Sequence, residues 1–146
     1  MSILNYSTSI AAEKTVAEIS RLLVRAKASQ ILTEYSPEGL PAAISFRILT
    51  EFGVMTFRLP ANADRIYKVI VRDSKVPRSK RTLAQASRIA WRIVKDWTQA
   101  QLAMIEAGLV DVAEVFLPYA QDSTGNTVYQ NLRIRQFGEY LLEDKK

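Results

Sequence analysis

The chain contains no cysteine and no histidine. The first absence excludes disulfides, thiolate zinc sites and cysteine nucleophiles. The second removes the commonest general base and the commonest transition-metal ligand. Glycine is scarce, with five in all, each at an apparent turn or helix end. Neither a P-loop nor a paired-glycine dinucleotide turn is present. No apolar run approaches the ~20 residues needed to cross a bilayer. Met1 to Ser9 shows no basic region leading into an apolar stretch, position 2 is not glycine, and no terminal cysteine offers a lipid site. These absences predict a cytoplasmic protein with no cofactor, no metal and no membrane segment. They leave an enzyme only carboxylate, lysine or tyrosine chemistry, so a binding protein is the expectation.

What is present is an ordinary globular composition: 146 residues, 48% hydrophobic and 24% charged. That length suits one domain, or one domain with a helical extension, and buries about two-thirds of its unfolded surface without a staple. Twenty Lys and Arg against fifteen Asp and Glu give a net charge of +5. Its distribution is uneven. Ten of the basic residues fall between Arg65 and Lys95, where Asp73 is the only acid, so this stretch carries +9 and the remainder −4. Such asymmetry points to a polyanionic partner. The bland alternative is a solvated helix face that only keeps the protein in solution.

Periodicity and turn chemistry divide the chain as follows. Ile3–Thr8 leans towards a first strand. Thr8 or Ser9 can cap a helix over 10–28, with Ala12, Val16, Ile19, Leu23 and Ala26 at helical spacing. Three strands follow at 30–35, 41–49 and 54–59, separated by the turn signals Ser36–Gly39 and Thr50–Gly53. In the second strand Ala42, Ile44, Phe46 and Ile48 share one face; in the third, Met55, Phe57 and Leu59 point inward. Asn62 is placed to cap a helix over 63–72. A basic connection follows, and Thr82 can cap a long helix over 83–107 stopped by Gly108. A short helix over 111–117 ended by Pro118, a turn at 122–126, a last helix over 127–137 and a charged tail with Lys145 and Lys146 complete the chain. The predicted class is α+β: a β-α-β-β-β-α core with a small antiparallel sheet, then a long amphipathic helix and short C-terminal helices. The division expected is 1–74 for the core and 75–146 for the basic connection and a helical extension packed on it.

Three constellations carry the charge. On the long helix, Leu83, Ala86, Ala90, Ile93, Trp97, Ala100, Met104 and Ala107 form one apolar stripe. Arg88, Arg92 and Lys95 cluster on the opposite side, with Arg81 at the entrance. Trp97 reads as core. Trp91 lies near the boundary, either as a half-buried packing residue or as a platform for a base. On the preceding helix Arg65, Lys68 and Arg72 sit opposite Ile66 and Ile70, and Arg78 and Lys80 lie in the connection between the two. On the sheet, the second hairpin sets Arg47 opposite Thr56 and Ser45 opposite Arg58, with Glu34 as a neutralising neighbour. Asp111, Glu114 and Asp122 read as capping and solvating acids rather than as ion ligands.

The segments Phe57–Asn62 (Phe-Arg-Leu-Pro-Ala-Asn) and Ala90–Trp97 (Ala-Trp-Arg-Ile-Val-Lys-Asp-Trp) resemble those of small uncharacterised phage and prophage proteins, and Glu114–Tyr119 fits the same pattern. The resemblance covers most of the chain and implies a mobile-element origin, with no mechanism attached. The order of elements resembles the core of phage single-strand annealing proteins, which implies a homo-oligomer holding single-stranded DNA in a basic groove beside a β-hairpin. That likeness is topological, without a shared motif. The α-β-β-β-α portion also resembles a double-stranded-RNA-binding domain, but the lysine cluster of that family would fall at Asn62–Arg65, where only Arg65 is basic.

The leading expectation is therefore a non-catalytic phage-type protein that binds nucleic acid, with single-stranded DNA favoured, in replication or recombination. The contact residues would be Arg47, Arg58, Arg65, Lys68, Arg72, Arg78, Lys80, Arg81, Arg88, Trp91, Arg92 and Lys95. Two other classes fit the same charge: a factor that engages or inhibits a host protein complex, and a sponge that sequesters a nucleotide signal on Arg47 and Arg58.

Overall fold

The computed structural model describes residues 3–137 and 141–143. Three antiparallel strands, β1 (Gln30–Tyr35), β2 (Pro41–Thr50) and β3 (Gly53–Pro60), form a sheet in sequence order. Tight turns set that order. Gly39 takes φ +79° where Ser36 and Leu40 close the first hairpin, a conformation that favours glycine. At the second, the Thr50 hydroxyl donates to the Gly53 carbonyl at 2.7 Å. The register matches the alternation: Ile44 faces Leu59, Phe46 faces Phe57, and Arg47 faces Thr56. One face of the sheet is apolar, and the helices cover it.

α1 (Ala12–Arg25) lays Ala12, Val16, Ile19 and Leu23 on that face. The helix is shorter than its pattern suggested, because Thr8 does not cap it: the Thr8 hydroxyl accepts from Ile10 N–H at 3.2 Å instead. It ends where Ala28 N–H returns to the Leu23 carbonyl at 2.9 Å with Lys27 at φ +79°. α2 (Ala63–Ile70) stops two residues before Arg72, and Asn62 contributes a left-handed turn, φ +55°, rather than a side-chain cap. α3 (Leu83–Glu106) begins as expected, with the Thr82 hydroxyl accepting from Gln85 N–H at 3.1 Å.

The expected first strand does not exist. Residues 4–7 form a turn, with Asn5 at φ +63° and Thr8 N–H on the Asn5 carbonyl. Gln85 holds this turn by donating to the carbonyls of Tyr6 (3.1 Å) and Thr8 (2.9 Å). Ile3 and Tyr6, three residues apart, both reach a second small core of Ile70, Val76, Ala86 and Ile89. Strand alternation would have sent them to opposite faces. The core order is thus α-β-β-β-α, with α3 and further helices after it.

The buried face of α3 also differs from the predicted stripe. α3 packs against α1 and α2 together, so its first half is enclosed nearly all round: Gln85, Ala86, Ser87, Ile89, Ala90 and Trp91 are buried. Farther along, Thr98 is buried, and Leu102 and Ile105 pack on the core, while Ala100, Met104 and Ala107 are exposed. Trp97 is half-buried, edge-on to Phe116 and to Tyr119 with ring centroids 5.6 Å away in both cases. Gly108 closes α3 at φ +76°. Among the described residues, no helix is long and apolar enough to cross a membrane.

α4 (Val112–Phe116) follows a short loop, with Glu114 Oε1 accepting from Asp111 N–H at 3.3 Å. Pro118 sits in a 3-10 turn over Leu117–Tyr119 that follows the helix directly. The chain then runs along β3, where Gln121 N–H donates to the Thr56 carbonyl at 2.8 Å. α5 (Val128–Ile134) starts at Thr127, whose hydroxyl accepts from Gln130 N–H while Gln130 Oε1 accepts from Thr127 N–H. The charged tail with Lys145 and Lys146 lies outside the described residues.

Asp122 organises the turn before α5. Its Oδ1 accepts from the Thr124 hydroxyl (2.6 Å), Thr124 N–H and Asn126 N–H, and its Oδ2 from the Asn131 amide (2.8 Å). These donors, the Thr124 hydroxyl first, pull the carboxyl from 3.8 to about 2. A depressed carboxyl stabilises the fold above its ordinary range and loses that contribution as pH falls through its folded value. Asp122→Asn is therefore expected to melt below the parent at neutral pH, with the gap closing as pH approaches about 2. Thermal unfolding across that range checks this; a gap that does not change with pH would exclude the carboxylate charge as its cause.

Candidate nucleic-acid interface

The basic residues separate into those tied to protein partners and those that are free. On α3, Arg92 Nη1 lies 2.6 Å from Glu18 Oε2 and 3.3 Å from the Thr15 hydroxyl of α1. The Arg92 hydrogen bond in turn holds the Glu18 carboxyl below its ordinary value. Arg88 donates to Gln85 Oε1 at 3.1 Å, supporting the amide that pins the N-terminal turn. Lys95 is half-buried on the same side. Of the expected basic stripe, Arg92 is thus tied to α1 and Arg88 to a neighbour on α3 itself.

Trp91 cannot be a stacking platform. It is fully buried, and its Nε1–H donates to the Pro41 carbonyl at 2.9 Å. A base needs an open ring face, and this one is enclosed by α1, the sheet and α3 itself. The tryptophan expected at the boundary is the core residue, and the one expected in the core lies at its margin.

Arg81 is a strut. Its Nε donates to the Val76 carbonyl at 2.9 Å and its Nη2 to the Asp73 carbonyl at 3.1 Å. Together with Val76, which is buried in the second core, it fixes the connection between α2 and α3. On the sheet, Arg58 meets Glu34 through two contacts, Nε–Oε2 at 2.8 Å and Nη2–Oε1 at 3.3 Å. This pair crosses the central strand over Ala43 and Ser45, whose small side chains leave room for it. Arg47 remains exposed beside it, without an ion pair among the described residues.

Among the described residues the densest run of unpaired cations is a ridge on α2 and the connection after it. α2 buries Ile70 and half-buries Ile66, which turns Arg65, Lys68 and Arg72 outward. Arg72 Nε donates only to the Lys68 carbonyl, at 2.9 Å. The pinned connection continues the line with Lys75 and Arg78, both exposed, and with half-buried Lys80 in a 3-10 turn. Among the described residues none of these six side chains forms an ion pair. The ridge looks away from α3, because α2 packs there through its opposite side, so the basic faces of α2 and α3 do not converge on one groove.

Two ridge residues lie beyond the sequence-predicted set. Lys75 flanks buried Val76. Tyr67 is 38% exposed, next to Lys68 on the flank of α2. The signal for Tyr67 was its position off the Ile66/Ile70 stripe, in a helix too short for a second apolar face. The acids explain themselves locally: Asp73 Oδ1 accepts from Lys75 N–H at 2.9 Å, and Asp111, Glu114 and Asp122 serve helix and turn ends. Among the described residues no cluster of three potential metal ligands occurs.

The chain matches no protein-family model, no curated protein and no solved structure.

Proposed function

We propose that this chain is a non-catalytic nucleic-acid-binding protein that holds a single strand by its backbone along the ridge from Arg65 to Lys80. One observation carries the reading: six cations in sixteen residues stand on a surface whose connection Arg81 pins, with no carboxylate paired to any of them among the described residues. Phosphates would neutralise that charge and release counterions. Unpaired cations also occur elsewhere, as at Lys14, Arg21 and Arg25 of α1, but there acids such as Glu13 and Glu18 are interspersed, whereas between Arg65 and Lys80 Asp73 is the only acid. Tyr67 and the exposed Val69 and Val71 beside the cations favour a single strand, whose unstacked bases offer apolar faces that a duplex keeps buried. The thin basic content at the start of α2, where only Arg65 follows Asn62, Ala63 and Asp64, disfavours the double-stranded-RNA alternative despite the α-β-β-β-α order. A nucleotide sponge is disfavoured because Glu34 occupies Arg58. The role we assign is in phage-type replication or recombination. The sequence blocks described above support only the phage-type origin. The rest is carried by the likeness of element order to annealing proteins, which this fold keeps without the first strand.

Fluorescence anisotropy of labelled single-stranded and duplex oligonucleotides at several salt concentrations tests this reading. With four to six phosphates neutralised, single-strand affinity should fall with a log–log slope of about −3 to −4. Single strands should bind more tightly than duplex. No binding at low salt, or binding indifferent to salt, would overturn the reading.

A further inference from the structure

The sheet has one closed edge and one open edge. Along β3, Ala120 bridges Phe57 and Gln121 N–H occupies the Thr56 carbonyl, so another strand is blocked there. β1 pairs with β2 on one side, and no described segment pairs with its other side. β1 reads Gln-Ile-Leu-Thr-Glu-Tyr, with neither proline nor lysine to keep the edge from pairing. Its register shift falls at its end, between Glu34 and Tyr35, and its one charge, Glu34, is paired with Arg58, which leaves Gln30–Glu34 regular. Leu32 stands out from its solvent face at 62% exposed.

We infer that β1 is a self-association edge, which takes β1 of a second copy of this chain antiparallel with the two-fold axis at Leu32. Directly opposed residues on neighbouring strands point to the same face. With the axis at Leu32, each Leu32 meets its own copy, Gln30 meets Glu34 of the partner subunit, and Ile31 meets Thr33 of the partner subunit. Leucine then covers leucine, and a carboxamide donor meets a carboxylate that is 40% exposed beside Arg58. Moving the axis one residue either way sets Leu32 against Gln30 or against Glu34, and both matches are lost. The contact is isologous and the β3 edge is closed, so assembly stops at a dimer with one continuous sheet of six strands. Six-residue strands bury less than a standard interface, so the dimer is expected to be weak. The inference stands without the nucleic-acid reading, because β1 contributes nothing to the ridge.

The chain's lack of cysteine makes the test direct. Residues paired across strands have Cα atoms about 4.5–5.5 Å apart, within disulfide reach. Under mild oxidation Leu32→Cys should give a covalent dimer of twice 16.5 kDa. Arg21→Cys, an exposed site on α1, should give far less at the same concentration. In the Leu32→Cys background, Gln30→Glu should slow cross-linking by placing like charges opposite each other, and Gln30→Lys should speed it. All these positions are exposed, and circular dichroism verifies that each variant is folded. Cross-linking of Leu32→Cys no faster than that of Arg21→Cys would overturn the interface. Fast cross-linking that ignores the charge at Gln30 would overturn the register.

Discussion

Trp91→Ala is expected to lose about 3–5 kcal/mol of stability, the cost of emptying a large buried site, and to lower the melting temperature by roughly 10–15 °C. Two effects combine there. The ring is fully enclosed among α1, the sheet and α3, and its Nε1–H satisfies the Pro41 carbonyl at the start of β2. Trp91→Phe keeps most of the ring and abandons that carbonyl, so a loss of about 1–3 kcal/mol is expected. Trp97→Ala should cost less than Trp91→Ala, because Trp97 is only half-buried and its edge contacts with Phe116 and Tyr119 lie at the core margin. Denaturant unfolding of the three variants checks the ranking. A Trp97→Ala loss that equals or exceeds the Trp91→Ala loss would contradict the packing described.

The second large effect belongs to the ridge. Changing Arg65, Lys68 and Arg72 together to Gln preserves helix propensity, since Gln, Lys and Arg rank close together. Single-strand affinity should fall at least tenfold at moderate salt, about 1.4 kcal/mol. The salt slope should become shallower by about 2, the share of three phosphate contacts. Melting should hardly move, because these side chains are exposed and unpaired among the described residues. The matching change of Arg88, Arg92 and Lys95 to Gln should behave in the opposite way. It removes the Arg92–Glu18 pair and the Arg88–Gln85 contact, so it should lower the melting temperature while affecting binding less. If the α3 set weakened binding more than the ridge set, the interface would have been placed on the wrong helix.

The contrast between these helices shows what sequence pattern could and could not supply. Strand pairing was legible because alternation at Ile44, Phe46 and Ile48 and the turn at Thr50–Gly53 leave one register that sets these three against Leu59, Phe57 and Met55 on one face. That Glu34 shares the polar face with Arg47 and Arg58 was legible from the same alternation; that it pairs with Arg58 was not. The buried face of α3 was not, because a single apolar stripe presumes a single packing partner. α3 has two, α1 and α2, and its first half is buried beyond any one stripe. The roles of Trp91 and Trp97 were misread for that reason. Ile3–Thr8 was misread because a short β-leaning segment without alternation also suits a turn, and Gln85, 77 residues beyond Thr8, decides between them. For the interface, composition located the charge but could not separate free cations from those held by Glu18, Gln85 or the Asp73 carbonyl. That separation depends on contacts between residues distant in sequence, as with Arg92 and Glu18, which are 74 apart.

The most direct test of the ridge is an amide chemical-shift titration of the isotope-labelled protein with a short single-stranded oligonucleotide. The largest shifts are expected at Arg65, Tyr67, Lys68, Arg72, Lys75 and Arg78, with Arg88, Arg92 and Lys95 nearly still. Perturbations centred on the α3 residues or on Arg47 and the sheet, with α2 unmoved, would contradict the assignment of this surface to nucleic acid.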